Sequence, residues 1–180
     1  MSARVVQVSV SRGGVPKVAV DAARVGWLGL DGDGHRDQRH HGGPERAVCL
    51  YPLEAIDALV GEGHPMAPGS LGENLTVHGL DWNAVVPGAR LRVGDAVTLE
   101  VTRYTSPCHN IAGAFADGDY SRVSQKRRPG WSRVYARVLA EGWVRRGDAV
   151  RFTAGSETAS TANAAVASDE RGAADRSPAE

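Results

Sequence analysis

The 180-residue chain has only two cysteines, Cys49 and Cys108, so no disulfide framework can be drawn, and no cysteine spacing marks a structural zinc site. It has no long apolar run. Met1 to Val20 alternates and carries Arg4, Arg12 and Lys17, so it reads neither as a signal peptide nor as a membrane span. There is no excess of either charge: 21 basic residues face 21 acidic ones. Charge therefore gives no case for nucleic acid, and none is expected as a partner. No Walker A sequence, no dinucleotide fingerprint and no Ser-His-Asp or Cys-His-Asn phrase in recognisable context occurs. Both thiols are expected to be free in a reducing cytoplasm.

Hydrophobic residues make up 42% of the chain, enough for one domain with a real core. Nineteen of the 21 basic residues are Arg, as a GC-rich genome also produces, although Arg forks suit phosphate and carboxylate. After Phe152 the chain is Ala, Ser, Thr, Gly and charge, with Val166 its only larger aliphatic. Such a segment cannot offset the entropy of ordering. The folded domain is expected over residues 1–153, with a disordered tail over 154–180.

Arg4 to Ser11 alternates Val6, Val8 and Val10 with polar residues, the pattern of a half-buried strand, and Val18 to Val25 reads as a second strand. Ala47 to Tyr51 is a short run for a strand buried on both faces, with Cys49 a small hydrophobe inside it. Pro52 suits the first position of a helix that ends near Gly61, with Leu53, Ile56 and Val60 on one face. Glu73 to His78, Arg90 to Val93, Ala96 to Arg103, Arg133 to Leu139 and Ala149 to Phe152 complete the strands, and a short helix is expected to start near Cys108. The phrase Arg92-Val93-Gly94-Asp95-Ala96-Val97 returns as Arg145-Arg146-Gly147-Asp148-Ala149-Val150, so one kind of turn feeds two strands. About eight short strands and one or two short helices predict a mainly-β barrel.

The chemistry-bearing residues concentrate between Gly29 and Arg46. His35, His40 and His41 with Asp31, Asp33 and Asp37 could hold zinc or iron, or could be a hydrogen-bonded turn. His41-Gly42-Gly43 with Arg46 could be an anion cradle, because consecutive glycines expose backbone N–H groups, or a turn into the next strand. Asn74 and Thr76 offer polar groups at a strand mouth, or cap a turn. Cys108, between Pro107 and His109 at a helix start, suits a nucleophile, a soft metal ligand or an inert thiol.

The order Gly29-Leu30-Asp31-Gly32-Asp33, His41-Gly42-Gly43, Arg46-Ala47-Val48, Pro68-Gly69, Gly72-Glu73-Asn74-Leu75-Thr76, Gly94-Asp95, Pro107-Cys108, Gly130-Trp131, Tyr135-Ala136-Arg137-Val138-Leu139 and Gly147-Asp148 resembles the MOSC domain. This is the C-terminal domain of molybdenum cofactor sulfurases, and the likeness is to small stand-alone bacterial members of the YiiM type. The resemblance runs from about residue 4 to 153. It implies a β-barrel related to the pyruvate kinase barrel domain. It implies that Cys108 ligates molybdenum or carries sulfur, a soft thiolate for a metal also bound by dithiolene sulfur. It implies that His41, Gly42, Gly43, Arg46, Asn74 and Thr76 line the pterin and its phosphate, with Arg127 and Arg128 as further phosphate ligands.

Relatives with reductase activity act on N-hydroxylated compounds, including hydroxylaminopurines and amidoximes. The reaction then expected is reductive N–O cleavage on the molybdenum cofactor, with a proton from His109, His41 or Asp33. The alternative is a sulfur carrier with a Cys108 persulfide. The additional N-terminal β domain of the mitochondrial amidoxime-reducing relatives and the pyridoxal-phosphate domain of full sulfurases are both missing, so pyridoxal phosphate is not expected. No ferredoxin-like cysteine set is present, so a separate electron-donor protein is expected to serve the small-molecule substrate. Oligomeric state is not legible.

Overall fold

The computed structural model describes residues 2–34 and 42–153. The expected tail over 154–180 and the histidines His35, His40 and His41 lie outside the described residues. The described chain is mainly β. Eleven strands, β1 (Arg4–Val10), β2 (Val18–Val20), β3 (Ala22–Gly26), β4 (Gly29–Leu30), β5 (Val48–Pro52), β6 (Leu75–His78), β7 (Arg90–Val93), β8 (Val97–Tyr104), β9 (Val134–Ala140), β10 (Gly142–Arg145) and β11 (Val150–Phe152), occur with a single α-helix, α1 (Leu53–Gly61), among the described residues. Four short 3-10 turns accompany them among the described residues.

Eight strands form one sheet in the order β11-β7-β8-β9-β5-β6-β1-β2, and β10-β3-β4 form a second. All described pairs are antiparallel except β5 with β6, whose parallel crossover is made through α1. The large sheet curls until the start of β1, next to its β2 end, meets the segment that leads into β11. Val5 N–H donates to the Asp148 carbonyl at 2.8 Å, Gly147 N–H to Val5 at 2.8 Å and Val150 N–H to Ala3 at 2.9 Å, around a bridge between Arg4 and Ala149. That seam closes the barrel and pairs an otherwise open edge. Inside it Val5, Val8, Leu50, Leu75, Val77, Leu91, Leu99, Val101 and Val134 pack as one core. A second core under α1 joins Tyr51, Ile56, Leu59, Leu71, Ile111, Phe115 and Val123.

The repeated phrases face each other: Val93 pairs with Val150, Arg92 with Arg151, and Gly94 N–H donates to the Ala149 carbonyl at 2.9 Å. Gly94 has φ +58°, and a Cβ there would come within 2.8 Å of Asp148 Oδ2. The two Gly-Asp turns therefore nest together, which glycine permits.

Several expectations are corrected. In β1, Val5 and Val8 are buried, not an unbroken alternation of Val6, Val8 and Val10. The register to β6 shifts between Val5 and Gln7, a bulge that changes the phase. The expected strand over Val18 to Val25 is two strands bending at Asp21. β2 pairs with β1 while β3 pairs with β10 in the other sheet. Pro52 caps α1 in an extended conformation, because it is still in register with Val77 of β6. The inner face of the helix is Ile56 and Leu59, and Val60 is exposed. Strand β10 was not expected. Among the described residues no helix is long and apolar enough to cross a membrane.

Candidate functional site

One pocket of about 270 Å³ gathers residues from seven separate parts of the chain, Gly34 after β4 among them. Gly13, Gly14 and Lys17 come from the β1–β2 connection, Arg46 from the 3-10 turn Pro44–Arg46, and Cys49 from β5. Gly72 and Asn74 lead into β6, Ser106 and Cys108 follow β8, and Arg133 and Tyr135 stand at the start of β9. Cys108 is half-buried and in extended conformation at the N-terminal cap of the 3-10 turn His109–Ala114, as the sequence suggested.

The close approach of two loops builds one wall. Lys17 N–H donates to the Gly69 carbonyl at 2.9 Å. Gly69 has φ +92°, and a Cβ there would lie 2.3 Å from the Lys17 carbonyl oxygen. Only glycine fits both the conformation and the contact.

Asn74 is the internal clamp. Its backbone N–H donates to the Cys49 carbonyl at 2.7 Å. Its side-chain Oδ1 accepts from Cys49 N–H at 3.0 Å. Its Nδ2 donates to the Ser9 carbonyl at 3.2 Å and to Asp33 Oδ2 at 2.8 Å. Asp33 also accepts from Ser11 N–H at 2.9 Å and makes a short ion pair with Lys17. With side-chain exposures of 7% and 1%, Lys17 and Asp33 are a buried pair, so removing either partner would leave the other without its ion-pair partner away from water.

The pocket collects positive charge. Lys17, Arg46 and Arg133 all line it. Arg133 is 7% exposed. It donates from one terminal nitrogen to the Leu71 carbonyl, while its Nε is buried without a hydrogen-bond partner. Beneath it Glu73 is fully buried. Glu73 Oε1 accepts from Gly69 N–H at 2.6 Å and from the Thr76 hydroxyl at 3.1 Å. Burial pushes its carboxyl above the usual range, against these hydrogen bonds and the Arg133 charge.

Burial also pushes the Cys49 thiol up to about 11, so it stays protonated and unreactive. The Tyr135 phenol is pushed up to about 12, first by burial and next by Cys49, with Arg133 and Arg46 opposing. It therefore retains its proton at neutral pH.

Of the residues the sequence singled out, Cys108, Arg46 and Asn74 line this pocket, and Asp33 stands behind Lys17. Gly42 and Gly43 lead to Arg46 but do not line the pocket. Gly43 accepts from Arg46 N–H at 2.9 Å. Thr76 is fully buried and directs its hydroxyl at Glu73. His109 is exposed and edge-on to Tyr120, with ring centroids 6.5 Å apart. Arg127 and Arg128 line a separate depression. His41 is outside the described residues. Among the described residues no group of three His, Cys, Asp or Glu side chains could hold a metal, and the histidine set His35, His40 and His41 lies outside them.

Lys17, Arg133 and Tyr135 were not anticipated as pocket residues. The available signals were that Lys17 is one of only two lysines and that Arg133 follows a Gly-Trp-Ser turn directly before an apolar strand.

Comparison with known proteins fits this architecture. Residues 37–151 match the MOSC domain. The chain is 36% identical over 118 residues to the uncharacterized protein YflK of Bacillus subtilis, covering 64% of this chain and 51% of that protein. It is 33% identical over 136 residues to the protein YiiM of Escherichia coli, covering 72% and 59%. A protein named Reductase from Gibberella moniliformis is 32% identical over 127 residues, covering 68% and 22%. The matched segments thus span between half and three fifths of the two bacterial relatives. The crystal structure of YiiM from Geobacillus stearothermophilus superposes with a TM-score of 0.66 at 25% identity, covering 84% of this chain and 75% of that one. The chain belongs to the MOSC domain family.

Proposed function

For this member of the MOSC family we propose a molybdenum-cofactor protein that reduces N-hydroxylated small molecules. The observation that carries the reading is the joint opening of the Cys108 thiol and three cationic side chains, Lys17, Arg46 and Arg133, on one pocket. A soft thiolate suits a soft, high-valent metal, and fixed cations suit the anionic pterin phosphate. The unpartnered Nε of Arg133 is an N–H donor at the pocket that an anionic group would satisfy.

Cys108 would ligate the metal, Arg46 and Arg133 would hold the anionic part, and the Asn74 clamp would fix Asp33 and, through it, Lys17. When bound, the cofactor supplies a two-electron couple for N–O cleavage. Tyr135 is the proton-bearing group on the pocket wall and joins His109, His41 and Asp33 as a candidate donor. Asp33 is committed to Lys17, and His109 does not line the pocket, so Tyr135 is the better-placed donor among the described residues. Electrons come from a separate donor protein, in the cytoplasm, and no nucleic acid is bound. The distant relative named Reductase supports an enzymatic role.

The half-buried position of Cys108 also favours a second reading, a carrier that holds sulfur as a Cys108 persulfide. One experiment separates them: molybdenum and pterin content of protein made in a cofactor-competent host, wild type against Cys108→Ala. Reductase function requires molybdenum in the wild type and its loss in the variant. A wild-type chain without molybdenum that gains a sulfur atom at Cys108 from a cysteine desulfurase establishes the carrier instead.

A further inference from the structure

A second depression lies apart from the Cys108 pocket, lined by Glu62, His64, Asp119, Ser121, Arg122, Arg127 and Arg128. Its buried polar atoms without a partner are both on nitrogen, His64 Nε2 and Arg122 Nε. His64 is 5% exposed, and its ring is held edge-on to Phe115 at 5.3 Å. Its Nδ1 accepts from Ala116 N–H at 3.3 Å, which leaves the proton on Nε2 as a donor.

Glu62 is taken up by Arg128, which donates to Oε1 at 2.9 Å and to Oε2 at 3.5 Å. Arg122 donates from one terminal nitrogen to Asp117 at 2.6 Å, which leaves its Nε unpartnered, and Glu62 Oε2 lies 3.7 Å from Arg122 and 3.8 Å from His64 Nε2, both beyond hydrogen-bond reach. The Arg128 guanidinium is fixed 3.2 Å over the Trp131 ring centroid. Arg127, with its side chain 68% exposed, donates to the Ser121 hydroxyl and is 3.9 Å from Asp119. Glu62 thus occupies, with one small carboxylate, a space ringed by more donors than it can reach.

We propose that this depression is an oxyanion site that takes a tetrahedral, phosphate-class anion on His64, Arg122 and Arg127, with Glu62 as the side chain the anion displaces. A tetrahedral anion presents more acceptor oxygens than a carboxylate and can meet Arg122 and His64 together. The site is independent of whether the Cys108 pocket binds a cofactor.

The test titrates inorganic phosphate into the full chain at constant ionic strength, followed by backbone amide NMR, because screening alone shifts exposed charges. A parallel arm uses ribose 5-phosphate to separate free phosphate from a phosphate monoester. Saturable shifts centred on His64 and residues 119–128 are expected. Arg127→Ala should weaken binding by about tenfold or more, the loss of one charge-assisted hydrogen bond. Glu62→Gln should tighten it, because a competing carboxylate becomes neutral. Opposite signs for these two variants cannot arise from general destabilisation. Shifts that follow ionic strength alone, or variants that match the wild type, overturn the proposal. So does a response lost in Arg46→Ala and kept in Arg127→Ala, which would place the anion in the Cys108 pocket.

Discussion

The Asn74 side-chain amide donates to Asp33 Oδ2 at 2.8 Å, and the same carboxylate oxygen takes the Lys17 ammonium. A neutral amide therefore aligns a buried ion pair, and its other end holds Cys49 N–H. Asn74→Ala would leave Cys49 N–H and the Ser9 carbonyl without their side-chain partner and Asp33 with one donor fewer. The expected loss is about 2–4 kcal/mol, read as a lower urea midpoint. A midpoint unchanged from wild type would show that the clamp is dispensable.

The two thiols should differ sharply in reactivity. Cys49 is buried with its thiol pushed up to about 11, while Cys108 is half-buried on the pocket wall. In native protein near pH 8 an aromatic disulfide reagent should titrate one thiol, and the second only after unfolding. Cys108→Ala should abolish the native reaction. Two rapidly reacting thiols in the native wild type would contradict the placement of Cys49.

Glu73 gives a pH dependence of definite sign. Burial raises its folded value above the ordinary 4.5, so folding favours the neutral acid. That contribution is full below about pH 4.5 and is lost as pH rises through the folded value. Glu73→Gln does not titrate. Its stability relative to wild type should therefore increase with pH above about 4.5, measured as urea midpoints of both proteins across the range. Parallel curves would mean that Glu73 has the same affinity for a proton folded and unfolded.

Gly69 and Gly63 form a matched pair for mutagenesis. Both have φ near +90°, but a Cβ at Gly69 would meet the Lys17 carbonyl at 2.3 Å, whereas at Gly63 it meets nothing within 4 Å. Gly63→Ala should cost about 1 kcal/mol, the conformational part alone, and Gly69→Ala at least about 2 kcal/mol more. Thermal unfolding of the two variants measures the difference. Equal costs would show that the loop shifts freely and that the pocket wall is soft.

Local chemistry made parts of this molecule legible in advance. The Gly94-Asp95 turn between β7 and β8 and the 3-10 turn opening at Cys108 each depend on a few adjacent residues. The order of short phrases pointed to the MOSC domain, which the family match establishes. What stayed hidden depends on partners distant in sequence. Val6 lost its expected place because of a bulge opposite β6, and Val18 to Val25 split because its halves join different sheets. Strand β10 is four residues with an exposed Trp143, too short and too open for a periodic signal. Lys17 and Arg133 became neighbours of Cys108 only through packing of the Gly69 loop and closure around β9, which no local pattern encodes.

The seam between Val5 and Asp148 has a consequence for synthesis. During translation β1 emerges early with its Asp148-facing backbone groups open, and its closing partner is among the last parts of the described chain to leave the ribosome. A nascent chain stalled before Gly147 would carry every residue that lines the thiol pocket yet expose an unpaired strand edge, the form most prone to join another chain. Slowing translation between Tyr135 and Gly147 should therefore raise aggregation without altering a single pocket residue.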